Sequence, residues 1–125
     1  MLAGALVFAV PLVVAARLTP DPAGLGTHQQ LGFPPCAFRA VWGVRCPACG
    51  MTTSWAYFVR GQIVSSAQAN PAGAMLAVLT CTVSVCLLFH AVAGRIPRSG
   101  WYAALAWGMI VVLVVAVADW AWRLM

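Results

Sequence analysis

The stretch NPAGAMLAVLTCTVSVCLLFHAVA, residues 70–93, contains no Asp, Glu, Lys or Arg. About 20 consecutive apolar residues are enough to cross the hydrocarbon core of a bilayer as a helix. Asn70 offers a side-chain oxygen that can cap a helix start, and Pro71 has the fixed backbone angle and the missing N–H that suit the first helical position. The sequence therefore predicts a membrane-spanning helix that begins at this Asn-Pro pair.

The composition of the whole chain agrees with this prediction. Of its 125 residues, 63% are hydrophobic and 7% are charged, whereas roughly a quarter of the residues in a soluble domain are charged. The seven basic residues are all arginines and form no basic run, as expected of charges at membrane boundaries and not of nucleic-acid binding. We therefore expect an integral membrane protein of the cell membrane, with the lipid bilayer as a partner and no nucleic acid.

Two further apolar runs lie on either side of the first, at residues 1–18 and 101–122. Each reaches the roughly 17 residues that a short span needs, the first with Arg17 at its edge. A signal peptide carries its positive charge before the apolar run, whereas Arg17 follows it, so we expect an uncleaved helix. The chain is thus predicted to be one multi-pass membrane domain, residues 1–125, with spans at about 1–18, 71–93 and 101–122.

Residues 19–70 are predicted to lie along the membrane surface. Their first part is rich in Pro and Gly, which favours an irregular loop, and residues 36–44 fit a short extended segment that turns at Gly43. Further on, four apolar residues recur at the spacing of one helical face: Met51, Trp55, Phe58 and Val59. This spacing predicts an amphipathic helix, too short to span, that ends near Gly61 before a second short helical segment at residues 62–69.

The predicted fold class is therefore an all-α integral membrane protein. It has three transmembrane helices and an amphipathic interfacial helix, which is preceded by an irregular loop that contains cysteines. Asp119 and Arg123, near the end of the last span, have the i,i+4 spacing of an ion pair that helps to fix its orientation.

The arginines predict the orientation of the chain in the membrane. The cysteine loop and the helix ends beside it hold five: Arg17, Arg39, Arg45, Arg60 and Arg123. The short connection between the last two spans holds Arg95 and Arg98. Because cytoplasmic segments carry an excess of basic residues, we expect the cysteine loop in the cytoplasm.

Three of the five cysteines lie in the loop, two of them in RCPACG, residues 45–50. A Cys-x-x-Cys pair at a helix start brings both sulfurs to one side, where the helix N-terminus stabilises thiolates. In one interpretation, Cys46 and Cys49 are half of a zinc site that Cys36 and His28 complete, since structural zinc takes four ligands. In another, Cys46 is the nucleophile and Cys49 the resolving thiol of a redox enzyme. In a third, the pair only stiffens the loop.

The other two cysteines, Cys81 and Cys86, lie within the predicted span of residues 71–93. Five positions on a helix correspond to a rotation of roughly 140°, so the two sulfurs face different sides. They cannot share a metal ion or a disulfide, and we interpret them as small packing residues.

The run CPACGMT, residues 46–52, followed by Gly61 and an Asn-Pro pair, resembles the signature of a family of small bacterial membrane proteins, the domain of unknown function 2752 family. Members share a Cys-Pro-x-Cys-Gly-x-Thr-Arg core and then a Gly and an Asn-Pro, and the likeness covers roughly Pro20 to Ala93. The matching positions are Cys36, Cys46, Pro47, Cys49, Gly50, Thr52, Asn70 and Pro71. Thr53 stands where the family usually has Arg. The resemblance implies a membrane protein and supplies no reaction.

The function favoured by these observations is that of a non-catalytic accessory or scaffold protein. Its cysteine loop would be ordered by packing or by zinc, and its helices would meet another membrane protein or a second copy. The alternative is a membrane thiol-disulfide oxidoreductase that uses Cys46 and Cys49. The sequence has no Gly-rich phosphate loop, no paired carboxylates and no Ser-His-Asp set, so hydrolytic and nucleotide-dependent activities are not expected. Zinc is the one cofactor that the residues point to.

Overall fold

The computed structural model describes residues 2–125, and every regular element within them is helical. Six α-helices follow in order: α1 (Leu2–Arg17), α2 (Ala37–Trp42), α3 (Met51–Phe58), α4 (Ile63–Ala69), α5 (Pro71–Val92) and α6 (Gly100–Leu124). A short 3-10 helix, Thr27–Leu31, lies in the loop between α1 and α2. The all-α class is therefore confirmed for this part of the chain.

The lengths of the helices bear on the predicted spans. α5 has 22 residues and α6 has 25, and both are long and apolar enough to cross a membrane. α1 has 16 residues, which at 1.5 Å per residue extends about 24 Å, less than the roughly 30 Å of a bilayer core. Two of the predicted spans are thus helices of spanning length, and the span at α1 stays a prediction.

α5 is the central helix, and both α1 and α6 pack on it. The start of α1 lies beside the end of α5, where Leu2, Ala5 and Leu88 line one small cavity, so these two helices run antiparallel. On α6, a side chain at Gly108 would contact Leu79 at 3.4 Å. The buried residues of α5 are mostly small: Ala72, Gly73, Ala74, Ala77, Thr80 and Val83. Small residues let helix backbones approach closely, which favours association of apolar helices.

α3 lies at the start of α5 and contacts α1, α4 and α5. The helix predicted from the apolar spacing is confirmed, but its buried side is not the side with the large apolar residues. Thr53, Ser54 and Ala56 are buried, whereas Trp55 is only half-buried. The side of α3 with the small residues faces inward, because small side chains let α5 approach closely. The approach is so close that a Cβ on Gly73 of α5 would lie 3.1 Å from Ser54.

A buried hydrogen-bond network joins α3 to α4 and to the start of α5. Ser66 Oγ donates to the carbonyl oxygen of Ser54 at 2.8 Å, and Ser54 Oγ donates to that of Asn70 at 3.1 Å. The three residues are at most 2% exposed. Both serine hydroxyls and the side-chain amide of Asn70 have partners. Burial of this polar junction therefore does not leave these groups unsatisfied, and it fixes how the three helices meet.

The extended segment predicted at residues 36–44 is wrong, because the chain forms α2 there and then turns at Gly43, whose φ is 70°. Two contacts account for the helix. The rings of Phe38 and Trp42, one helical turn apart, lie 4.3 Å apart edge to face, and Phe38 also meets Trp120 of α6 at 6.3 Å. The second contact comes from a distant part of the chain, so the local sequence did not reveal it.

Three other predictions about helix ends are confirmed. Asn70 Oδ1 accepts a hydrogen bond from the backbone N–H of Gly73 at 2.7 Å, so it caps α5 as expected. Gly61, with φ of 75°, lies in the break between α3 and α4. Arg123 Nε and Asp119 Oδ2 form the expected ion pair at 2.7 Å.

Arg60 has a role that its position at a boundary did not reveal. Its Nη1 donates to the carbonyl oxygen of Ala56 in α3 at 2.7 Å, and its Nη2 donates to that of Ala16 in α1 at 3.3 Å. The last carbonyls of a helix have no partner within the helix and attract cations. One guanidinium therefore joins the C-terminal ends of two helices, at the end of the bundle where the cysteine loop lies.

Candidate metal centre

The Cys-Pro-Ala-Cys-Gly segment forms a tight turn that leads directly into α3. The N–H of Cys49 donates to the carbonyl oxygen of Cys46 at 3.0 Å, and the N–H of Met51 donates to that of Ala48 at 3.1 Å. Gly50 then occupies the N-cap position of α3 with φ of 88°. This left-handed backbone angle suits glycine and is unfavourable for residues with a Cβ.

The turn directs two sulfurs toward each other. The N–H of Cys46 donates to Cys49 Sγ at 3.3 Å, and Cys46 Sγ donates to Cys49 Sγ at 3.0 Å. Cys36, at the start of α2, completes a group of three, with all Sγ atoms within 4.8 Å of one another. All three cysteines are partly exposed. The structure thus brings together the three loop cysteines that the sequence singled out, and Cys81 and Cys86 of α5 are not in this group.

The turn is attached to the start of α5 by Asn70. Besides capping α5, its side-chain amide donates to the carbonyl oxygens of Pro47 and Cys49, each at 3.2 Å. Gly50 packs closely against the backbone of the residue before Asn70 and against the loop after α1. A Cβ on Gly50 would lie 2.7 Å from the carbonyl oxygens of both Ala69 and Gly24. The cysteine turn and the Asn-Pro pair are therefore one structural unit, although about twenty residues separate them in sequence.

The three sulfurs border a pocket of about 290 Å³. Its lining includes Leu25, Gly26, His28, Gln29, Pro35, Cys36, Arg39, Cys46, Ala48, Cys49, Gly50, Thr52 and Thr53. Among these residues Arg39 carries a positive charge and none carries a carboxylate. Thr53, at the position where the family usually has Arg, is buried, and its Oγ1 lies 2.7 Å from Thr27 Oγ1.

His28, the fourth predicted zinc ligand, borders the same pocket, but it is not in the group of three sulfurs. Its Nε2 lies 3.3 Å from the carbonyl oxygen of Pro34, at an exposed position. The structure therefore does not bring His28 together with the cysteines, and its role as a ligand stays a prediction.

The pKa values of Cys36 and Cys46 are shifted in opposite directions. Burial, and then the hydrogen bond with Cys49, raise the pKa of the Cys46 thiol to about 12. The backbone N–H of Arg39 lowers the pKa of Cys36, because it stabilises the thiolate. Without a cation, Cys46 thus stays protonated at neutral pH, and a bound metal ion must displace that proton.

The last helix also supports the cysteine loop, in a way that sequence reasoning missed. The side-chain Nε1 of Trp120 donates to the carbonyl oxygen of Arg45 at 2.7 Å. Its ring also contacts Phe38 of α2. No local signal marks this residue, because its partners precede it by some 75 positions in the chain.

Comparisons with known proteins give a match in the central part of the chain. No curated protein and no solved structure matches it. A family model described as "Protein of unknown function (DUF2752)" matches residues 36–84, a narrower segment than the one the resemblance covered. It begins at Cys36, contains the Cys-Pro-Ala-Cys-Gly turn and the Asn-Pro pair, and ends within α5. The model that matches residues 36–84 is thus that of the family which the signature in the sequence resembles.

Proposed function

We propose that the chain is an integral membrane protein with three spans, α1, α5 and α6. Within α6, Val112 is the one buried residue, and large apolar residues are exposed along the helix from Tyr102 to Leu124. Such a surface is unfavourable in water and is what a bilayer covers. α1 is antiparallel to α5 and also exposes large apolar residues, including Leu6, Val7 and Val10. Its short length is compatible with a span if Arg17 extends to the headgroups.

The arrangement of helix ends supports a cytoplasmic cysteine loop. The end of α1, the cysteine turn and the end of α6 lie at one end of the bundle, joined through Arg60 and Trp120. Five arginines therefore share that end with the loop, and Arg95 and Arg98 lie at the other, an asymmetry that favours the loop in the cytoplasm. Cytoplasmic thiols are kept reduced, so they are available to bind a metal ion.

Within this membrane protein we assign the cysteine loop as a structural zinc centre and the protein as a non-catalytic accessory or scaffold. The observation that carries the proposal is the convergence of three Sγ atoms within 4.8 Å. Thiolates are preferred zinc ligands, and a structural zinc ion contributes directly to the stability of a small loop. The exposed apolar sides of α1 and α6 are then the surfaces that meet lipid, another membrane protein or a second copy.

The sulfur positions require little adjustment to bind zinc. Four ligands at the usual Zn–S distance of about 2.3 Å place neighbouring sulfurs about 3.8 Å apart. Cys46 Sγ and Cys49 Sγ are 3.0 Å apart, so a small change in side-chain torsion separates them enough. The N–H of Cys46, which donates to Cys49 Sγ, would stabilise the bound thiolate.

The metal content of the purified protein tests this proposal. We expect about one zinc ion per chain after purification in detergent without chelators, and loss of that zinc in Cys46→Ser. Cys81→Ser is the matched control, because Cys81 lies in α5 outside the group of three sulfurs, and it should retain zinc. Wild-type protein without zinc that also fails to bind added zinc would contradict the proposal.

The 3.0 Å between Cys46 Sγ and Cys49 Sγ also favours a second candidate, the thiol-disulfide oxidoreductase. In that reaction the two thiols form a disulfide, and their two electrons and two protons reduce a substrate disulfide to two thiols. The pKa of about 12 at Cys46 works against this residue as the attacking thiolate, since the thiolate is the nucleophile. We therefore place this function second.

A further inference from the structure

We infer that a metal ion held by the three cysteines keeps its fourth coordination position open to the pocket and binds a small anionic thiol there. This inference rests on the proposed metal centre and adds a ligand class to it. In the binding step the thiol loses its proton to solvent, and its sulfur replaces a solvent molecule on the metal. The protein would then sense or hold a small cytoplasmic thiol.

The number of ligands supports an open position. Zinc in proteins is almost always four-coordinate, and sites with three protein ligands use the fourth position for water or a bound molecule. Within residues 2–125, the group of possible ligands around this point contains three members, Cys36, Cys46 and Cys49. The protein therefore supplies one ligand fewer than a closed structural site needs.

His28 borders the same pocket, but its contact with Pro34 does not favour a role as the fourth ligand. Its Nε2 lies 3.3 Å from the carbonyl oxygen of Pro34, so binding a metal through this atom would break that contact. The short 3-10 helix that carries it ends at Gly32 with φ of 83°, which holds the local backbone in a defined turn. A ligand from solution needs no such rearrangement.

The pocket determines what kind of ligand fits. It has a volume of about 290 Å³, enough for a molecule of a few non-hydrogen atoms beside the metal. A dication with three thiolates has a net charge of −1, and Arg39 is the cationic residue of the described lining, which has no carboxylate. A ligand with both a thiolate and a carboxylate therefore fits this pocket, because its soft sulfur suits the metal and its carboxylate can pair with Arg39.

Cobalt(II) in place of zinc makes the coordination visible, because its visible d–d absorption changes with the ligands. We expect detergent-purified protein, reloaded with cobalt, to change its spectrum saturably when mercaptoacetate is added. The thiol 2-mercaptoethanol, of similar size but without the carboxylate, should bind more weakly. Arg39→Gln should remove this difference between the two thiols and leave cobalt binding itself intact.

His28→Ala distinguishes the open site from a closed one. We expect this variant to keep both the cobalt spectrum and the response to mercaptoacetate. Cys36→Ser should lower cobalt affinity by more than roughly 100-fold, because loss of a ligand should exceed the 10- to 100-fold loss that follows removal of a residue which only contacts the ligands. A wild-type spectrum that does not respond to either thiol would overturn the inference and leave the metal centre standing. Failure of the protein to bind cobalt or zinc at all would overturn both.

Discussion

Replacing Gly50 by alanine is expected to lower the free energy of unfolding by about 2–5 kcal/mol. Two effects add at this position. The backbone has φ of 88°, and a residue with a Cβ adopts this region at a cost of roughly 1–2 kcal/mol. In addition, the new Cβ would lie 2.7 Å from the carbonyl oxygens of Ala69 and Gly24, and relieving such overpacking typically costs about 1–3 kcal/mol.

Gly43→Ala is the matched control for this prediction. Gly43 has φ of 70°, yet no heavy atom beyond Gly43 itself and its two chain neighbours lies within 4 Å of the Cβ it would gain. We therefore expect only the backbone cost, about 1–2 kcal/mol. Thermal unfolding in detergent measures both variants, and equal losses of stability in the two would show that Gly50 is not closely packed between Gly24 and Ala69.

Replacing Asn70 by alanine is expected to lower the free energy of unfolding by about 2–4 kcal/mol. The substitution removes the cap of α5, a loss of about 1 kcal/mol. It also removes the two hydrogen bonds from the amide to the part-buried carbonyl oxygens of Pro47 and Cys49, and each such bond contributes about 0.5–1.5 kcal/mol. Asn70 itself is 2% exposed, so solvent does not readily replace these bonds.

Asn70→Ser separates the two roles of Asn70. A serine hydroxyl can still cap α5 through the N–H of Gly73, but it cannot reach the cysteine turn. We expect Asn70→Ser to recover part of the stability that alanine loses, while both variants bind zinc roughly 10- to 100-fold more weakly, as when residues around a metal site are removed. Unchanged zinc affinity in both variants would mean that Asn70 does not position the turn.

The parts of the fold that the sequence predicted are those governed by local rules. α5 was predicted because an uncharged run follows an Asn-Pro pair, and both the cap and the start of the helix are where these rules place them. α3 was predicted from apolar spacing. The spacing did not reveal that Thr53 and Ser54 are the buried side, because that depends on how closely α5 approaches.

In the candidate site, the sequence singled out the three cysteines but not the residues that hold them in place. Spacing and residue type singled out Cys36, Cys46 and Cys49, and the structure brings their sulfurs together. The residues that hold the turn were not predicted for that role, because their partners are distant in sequence: Asn70 reaches back to Pro47 and Trp120 reaches back to Arg45. Such contacts become visible only once the helices are assembled.

The coordination of the metal in the purified protein tests the central claim most directly. X-ray absorption at the zinc edge of wild-type protein measures the atoms bound to the metal. We expect a shell of three sulfur atoms at about 2.3 Å and one lighter ligand in the absence of added thiol, supplied by Cys36, Cys46 and Cys49. A zinc ion without sulfur ligands, or a protein that binds no zinc while its three loop thiols are reduced, would contradict the assignment of this loop as a metal centre.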